Sequence, residues 1–218
     1  MERIAPVFRE TKKLPLHYCS GRMRSVRGRD SRGPCRKTEL TYLEIVMSVT
    51  VTTSPAQLSW NDFLPVDSLP DGSGDEAQTA ATMSEMNGIS PVLTNGKFVL
   101  PDLTLAVGLD RTQTMVIKTA NKTADLLKHE QGHFDITVLT VRALAAELEQ
   151  LKAGSVPSLG QHLNAARSKH QQRANMITEK YDKETENSRN QALQKTWNDA
   201  IDATMKASST TILRGMPL

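Results

Sequence analysis

Two hydrophobic patterns divide the chain. In the first half, short and partly alternating segments rich in β-branched residues cover residues 45–53, 97–107 and 112–119, and this pattern predicts strands. In the second half, apolar residues recur at spacings of three and four, which is the period of an amphipathic helix. Strands followed by helices predict an α+β fold, in which a small, mostly antiparallel sheet precedes two long helices.

Turn and loop signals separate the predicted strands. The Asn-Gly pairs at 87–88 and 95–96 favour tight hairpin turns. Residues 64–78 are rich in proline, glycine and acidic residues, and they predict a loop. Pro101 indicates that the strand over 97–107 is split or lies at the edge of a sheet.

Capping signals bound the two predicted helices. Asn121 or Thr123 can cap the first helix, which is expected to end near residue 152. A capping box that begins at Ser158 is expected to start the second helix, which continues to about residue 207. The first helix presents an apolar stripe, which is expected to be buried and consists of Phe134, Val138, Val141, Ala145 and Leu148. A semi-polar face flanks that stripe and consists of His129, His133, Ile136, Thr140, Ala143 and Glu147.

Charge divides the chain at a different point. Of the 218 residues, those at 1–46 carry eleven Lys and Arg against five Asp and Glu, a local charge of +6 within a net charge of +3. Residues 47–218 carry a charge of −3. The basic segment is expected to be a disordered extension, through which alone the chain could bind nucleic acid. The other 172 residues are expected to form the folded domain.

Candidate chemistry is concentrated in the first predicted helix, at His129-Glu130-Gln131-Gly132-His133. Residues four apart lie on one face of a helix, so both imidazoles could bind the same Zn²⁺. Glu130 could then orient and deprotonate a zinc-activated water for attack on a peptide carbonyl. The edge of the preceding strand could hold an extended substrate. The alternative is a pair of solvent-facing histidines on an ordinary amphipathic helix.

The cysteine content restricts the type of metal site. The chain has two cysteines, Cys19 and Cys35, and both lie in the basic segment. A four-thiolate zinc site is therefore impossible, and the folded domain contains no thiol ligand. Any metal site in the domain must use histidine and carboxylate ligands.

Three separated motifs resemble a bacterial family of uncharacterised domains described as secreted zinc-dependent proteases. They are HEQGHFDI from residue 129, Trp60-Asn61-Asp62-Phe63, and Tyr181-Asp182-Lys183-Glu184-Thr185 followed by Asn190-Gln191, Gln194 and Trp197. The resemblance covers roughly residues 56–205 and leaves out the basic segment. It implies a zincin-like metallopeptidase domain over 47–218, with a peptide or protein as its substrate.

One departure from the family pattern concerns the third metal ligand. The family's last motif continues with a histidine and a glycine, where this chain has Asn187 and Ser188. Glu184 or Glu186 could ligate zinc instead, as a downstream glutamate does in thermolysin-like sites. His170 could also fill the position, because it lies on the same helical seam as Tyr181. The remaining alternative is a catalytically degenerate relative that acts as a binding module.

Three further residues near these motifs could assist the site. Tyr181 could donate a hydrogen bond to a developing oxyanion, or it could be a core residue. Asp135 could hydrogen-bond a ligand imidazole, or it could be a solvated helix residue. Asp182 could orient a metal ligand across the helix pair, or it could form a structural cap or a salt bridge.

The hydropathy of the chain predicts whether it spans a membrane and where the protein is located. The chain has no apolar run of about 18 residues, so no membrane span is expected. The N-terminal residues lack the apolar core of a signal peptide, which predicts a cytoplasmic location. The family resemblance implies secretion or a periplasmic location instead.

Overall fold

A computed structural model describes residues 48–70, 75–85, 90–207 and 211–218. The expected extension 1–46, with its nucleic-acid hypothesis, and the Asn-Gly pair at 87–88 lie outside these residues. Within them the strands are, in chain order, β1 (Val49–Ser54), β2 (Leu64–Val66), β3 (Ala77–Gln78), β4 (Ala81–Glu85), β5 (Val92–Thr94), β6 (Lys97–Val99), β7 (Leu103–Leu109), β8 (Met115–Ile117), β9 (Ile212–Leu213) and β10 (Met216–Pro217). The helices are α1 (Ala124–Glu149), α2 (Val156–Thr185) and α3 (Gln191–Lys206). The architecture is α+β, as the pattern predicts.

The sheets are small and mixed rather than mostly antiparallel. In one sheet, β7 pairs with β1 in parallel and with β4 in antiparallel orientation. In another, β8 lies between β2, which is parallel, and β3, which is antiparallel. The expectation that the strand before α1 offers a free edge is therefore wrong, because β8 is the central strand.

Local signals predict one turn and one strand break in this region, and they miss two strands. Asn95 and Gly96, with φ of 51° and 72°, form the expected turn between β5 and β6. The segment 97–107 is split around Pro101 into β6 and β7, as expected. The expected loop at 64–78 contains β2 and β3, which are short and both pair with the distant β8. Strands whose partners are far apart in sequence leave little local pattern.

Three helices follow the strands, not two. Thr123 caps α1, because its side chain accepts a hydrogen bond from the backbone of Leu126 at 3.1 Å. Ser155, and not Ser158, caps α2 in the same way. A break after Thr185 separates α2 from α3, although the apolar seam continues through it.

Helix α1 is buried on two sides. Its predicted apolar stripe, with Phe134 and Leu148, packs into a cluster that includes β4, β7 and the first half of α2. Its semi-polar face is also buried, because Ile136 and Ala143 pack in a second cluster with residues of α2, α3 and β9. The histidine face of α1 is thus turned towards α2 and α3, and it is not a solvated face. No helix in the described part of the chain is long and apolar enough to cross a membrane.

Candidate metal centre

Two helices bring two imidazoles and one carboxylate together. His129 and His133 project from one face of α1, and Asp182 lies in the last turn of α2. The Nε2 atoms of the two histidines are 3.2 Å apart. Oδ1 of Asp182 lies 3.0 Å from Nε2 of His133 and 3.5 Å from Nε2 of His129. Three potential ligand atoms therefore form a nearly equilateral triangle.

The size of this triangle suits a tetrahedral metal ion. Zinc binds imidazole nitrogen and carboxylate oxygen at about 2.0–2.2 Å, which places two ligands of a tetrahedron about 3.3–3.6 Å apart. The three observed separations, 3.0, 3.2 and 3.5 Å, lie close to that value. The group is largely buried, with His129 3% exposed, so its polar atoms have little access to bulk water. The donor set fits a divalent transition metal, and its geometry alone does not identify which one.

A hydrogen-bond network fixes the tautomer of His129. The side-chain amide of Gln194 donates from Nε2 to the Tyr181 hydroxyl at 2.7 Å and to Oδ1 of Asn198 at 2.9 Å. Its oxygen, Oε1, is left facing Nδ1 of His129 at 3.0 Å. Nδ1 must therefore carry the proton, and Nε2 presents its lone pair to the triangle. Such a partner is typical of metal-binding histidines.

Tyr181 is a buried packing residue whose hydroxyl proton is donated to a backbone carbonyl. Its hydroxyl donates to the backbone carbonyl of His129 at 3.0 Å and accepts from Gln194. The ring is fully buried and stacks on the His129 imidazole, with centroids 4.7 Å apart. Burial raises the pKa of Tyr181 far above its usual range. In this arrangement the hydroxyl is bonded to the backbone of His129 and to Gln194.

The acidic side chains around His133 raise the pKa of its imidazole. Burial alone would lower the pKa of this imidazole, but the charge and hydrogen bond of Asp182 and the charges of Glu130 and Asp75 raise the pKa of His133 to about 9. Although burial opposes it, the two histidines hold the pKa of the Asp182 carboxyl well below its usual range. Without a metal, His133 and Asp182 thus form an ion pair, and a bound cation would displace a proton.

Glu130 contributes a buried carboxylate beside this group. The residue is 2% exposed, and its Oε2 atom has no hydrogen-bond partner among the described residues. A buried carboxylate oxygen without a partner is costly, so its retention points to a partner that binds in the functional state. A water molecule held at the histidine and aspartate group would be such a partner.

The other residues considered for the third ligand position have different contacts. Glu184 accepts hydrogen bonds from Nε1 of Trp197 at 2.8 Å and from Arg214 at 3.3 Å. His170 contacts Glu147 through Nε2 at 2.9 Å. Glu186 is exposed and ends α2 with a left-handed backbone. The structure thus places Asp182, and none of these three, in the triangle with the histidines.

Asp135 and Asn187 are anchored to the strand-rich half of the domain. Asp135 accepts a hydrogen bond from Gln131 at 2.8 Å, and Gln131 in turn accepts from the backbone of Leu58 at 2.7 Å. The described hydrogen bond of Asp135 is therefore with Gln131 and not with a histidine. Asn187 donates from Nδ2 to Oδ1 of Asp75, which lies just before β3.

Gly132 allows α1 and α2 to approach closely at the centre. A Cβ atom at this position would lie 2.3 Å from the Tyr181 hydroxyl oxygen and 2.7 Å from its ring. Because Tyr181 stacks on His129, any side chain at 132 must displace the residue that orients this histidine. The glycine inside the histidine motif is therefore a packing requirement.

We expect Gly132→Ala to destabilise the metal-free protein by about 1–3 kcal/mol, because overpacking outweighs the better helix propensity of alanine. Gly160→Ala is the matched control, since nothing lies within 4 Å of a Cβ at this exposed position in α2. The control should be stabilised by up to about 1 kcal/mol. Urea unfolding of both variants measures the difference, and equal stabilities would contradict this account of Gly132.

Sequence comparison adds a family match to this geometry. The chain is an α+β protein with a buried group, His129, His133 and Asp182, that could bind a metal. Residues 92–191 match the model of a family described as bacterial protein of unknown function, DUF922. The match spans α1 and Asp182, and it leaves out Asp75 and Gln194. No curated protein and no solved structure matches the chain.

Proposed function

We propose that the chain is a zinc-dependent metallopeptidase with a zincin-like domain, in which His129, His133 and Asp182 bind the metal and Glu130 is the general base. The observation that carries this proposal is the triangle of ligand atoms, all within 4.8 Å of one another, beside the unpartnered oxygen of Glu130. Neutral imidazoles together with a carboxylate favour zinc among common divalent ions. Substrates would be peptides or proteins.

The side chains have separate tasks in this mechanism. A zinc ion held by His129, His133 and Asp182 would supply Lewis-acid chemistry, which would let water ionise near neutral pH. Gln194 and Tyr181 keep His129 in the orientation and tautomer that ligation needs. Glu130 accepts the proton of the attacking water and passes it to the leaving amine, the usual task of a glutamate next to a zinc-binding histidine.

A non-catalytic binding module is the competing function, because Asn187 stands where the resembled family has a histidine. The side chain that faces His129 and His133 across the helix pair discriminates between the two. That side chain is the carboxylate of Asp182, while Asn187 bonds Asp75. A complete set of three ligands supports the peptidase, and replacing Asn187 by His should then not raise the zinc content above that of the wild type.

Metal analysis and a cleavage assay together test the proposal. We expect the full chain to bind about one Zn²⁺ and to cleave an unfolded protein substrate such as casein. Cleavage should stop when a chelator removes the zinc and return when zinc is added back. Zinc binding without cleavage of any peptide or unfolded protein would favour the binding module, and absence of zinc binding would contradict both functions.

A further inference from the structure

A left-handed turn lies between α2 and α3, directly after the metal centre. Glu186, Asn187 and Ser188 have φ values of 50°, 52° and 73° in succession, and none of them is glycine. Left-handed backbone is unfavourable for residues with a Cβ atom, and runs of it are rare. Asparagine tolerates it better than most residues do. A strained run that persists must be held by its surroundings, and such runs cluster at functional sites.

The turn is bonded directly to the ligand residue Asp182. The backbone N–H groups of Glu186 and Asn187 both point to the carbonyl oxygen of Asp182, the second at 3.2 Å. The position of the Asp182 backbone, and with it the position of the carboxylate, therefore depends on the geometry of this turn.

The side chain of Asn187 anchors the turn to the other half of the domain. Its Nδ2 atom donates to Oδ1 of Asp75, 112 residues away in the sequence, in a partly buried contact. Asp75 lies two residues before β3, and Glu76 between them accepts a backbone hydrogen bond from Ile117 of β8 at 2.8 Å. The contact thus connects the end of α2 to the sheet formed by β2, β8 and β3.

We infer that Asn187 and Asp75 are a positioning pair for the metal centre, in which the side-chain hydrogen bond holds the left-handed turn and, through it, the carboxylate of Asp182. The negative charge of Asp75 also acts on the His133 imidazole. A bound dication would then have the Asp182 carboxylate as a ligand, and the charges of Glu130 and Asp75, which act on His133, would favour the cation. This inference rests on the metal site of the proposed function, but it does not depend on peptide hydrolysis.

The chain offers a matched pair of variants that separates the hydrogen bond from the backbone conformation. Asn187→Gly and Ser188→Gly each place a glycine at a left-handed position, but only the first removes the amide that bonds Asp75. We expect Asn187→Gly to weaken Zn²⁺ binding by about 10-fold or more, as the loss of a group that orients a ligand does. Ser188→Gly should bind Zn²⁺ with the wild-type affinity, within about 3-fold.

Asp75→Asn completes a double-mutant cycle. If Asn187 acts through Asp75, the variant Asp75→Asn/Asn187→Gly should bind Zn²⁺ no more weakly than Asp75→Asn alone. Zinc titration of the folded full-length chains against a chromophoric chelator measures all four affinities, which a change in folding stability alone would not move. Co²⁺ absorption should report an altered ligand geometry in Asn187→Gly and an unaltered one in Ser188→Gly.

Three results would overturn the inference. They are equal Zn²⁺ affinities for Asn187→Gly and Ser188→Gly, losses that add fully in the double variant, and a wild-type chain that binds no Zn²⁺. The last result would also remove the proposed function. A wild-type chain that binds Zn²⁺ but cleaves no peptide would overturn the peptidase and leave the cycle fully measurable.

Discussion

Replacing Glu130 by Gln should reduce peptide hydrolysis by about 10²–10⁴-fold, the usual contribution of a general base, while the bound zinc is retained. Glutamine has nearly the same shape and can occupy the same buried position, but its amide cannot accept the proton that hydrolysis requires. Glu130 is also outside the triangle of ligand atoms, so the binding of the metal should not require the negative charge of Glu130. The loss should be found in kcat, with KM little changed.

A surface glutamate provides the control for this variant. Glu179 is exposed on α2, and Glu179→Gln should retain wild-type activity and zinc content. Activity is measured on an unfolded protein substrate, and zinc is measured on the same samples. Full activity of Glu130→Gln would exclude Glu130 as the base. Loss of zinc from Glu130→Gln would instead make Glu130 part of the metal site.

The residues of α1 were predictable because their placement depends only on helical periodicity. His129 and His133 lie four residues apart, and any helix through both brings them to one face. Thr123 likewise caps α1 through contacts within a few residues. The burial of the histidine face was not predictable from its composition, because threonine and glutamate suggest a solvated surface. It follows from packing against two helices instead of one.

The third position of the triangle depends on information that the local pattern does not contain. Asp182 reaches the histidines only because α2 crosses α1 at Gly132. A side chain at this position would occupy the space that the Tyr181 ring fills. The sequence predicts for Asp182 an orienting role, a structural cap or a salt bridge, and not a place among the metal ligands. The break between α2 and α3 was missed for a related reason, since it follows from backbone geometry at residues 186–188 while the apolar seam continues. Gln194 is brought to His129 by that break.

Replacing Asp182 by Asn should weaken Zn²⁺ binding by more than about 100-fold. Removing a group that only orients a ligand costs up to about 100-fold in metal affinity, and removing a ligand should cost more. The amide has the same size as the carboxylate, but it is neutral and a weak zinc ligand. Two neutral imidazoles alone would then have to hold the dication in a buried site, where uncompensated charge is costly. Peptide hydrolysis should be lost together with the zinc.

Three variants separate Asp182 from the alternatives that the sequence leaves open. Glu184→Gln, Glu186→Gln and His170→Gln each remove one of those groups, and each should bind Zn²⁺ with an affinity close to that of the wild type. Glu184→Gln also alters the contacts of Trp197 and Arg214, so its unfolding by urea is measured alongside the zinc titration. A loss of zinc affinity in one of these three variants, with Asp182→Asn unaffected, would move the third ligand away from Asp182. Loss in Asp182→Asn alone would assign the third ligand to Asp182, as the 3.0 and 3.5 Å contacts with the two histidines indicate.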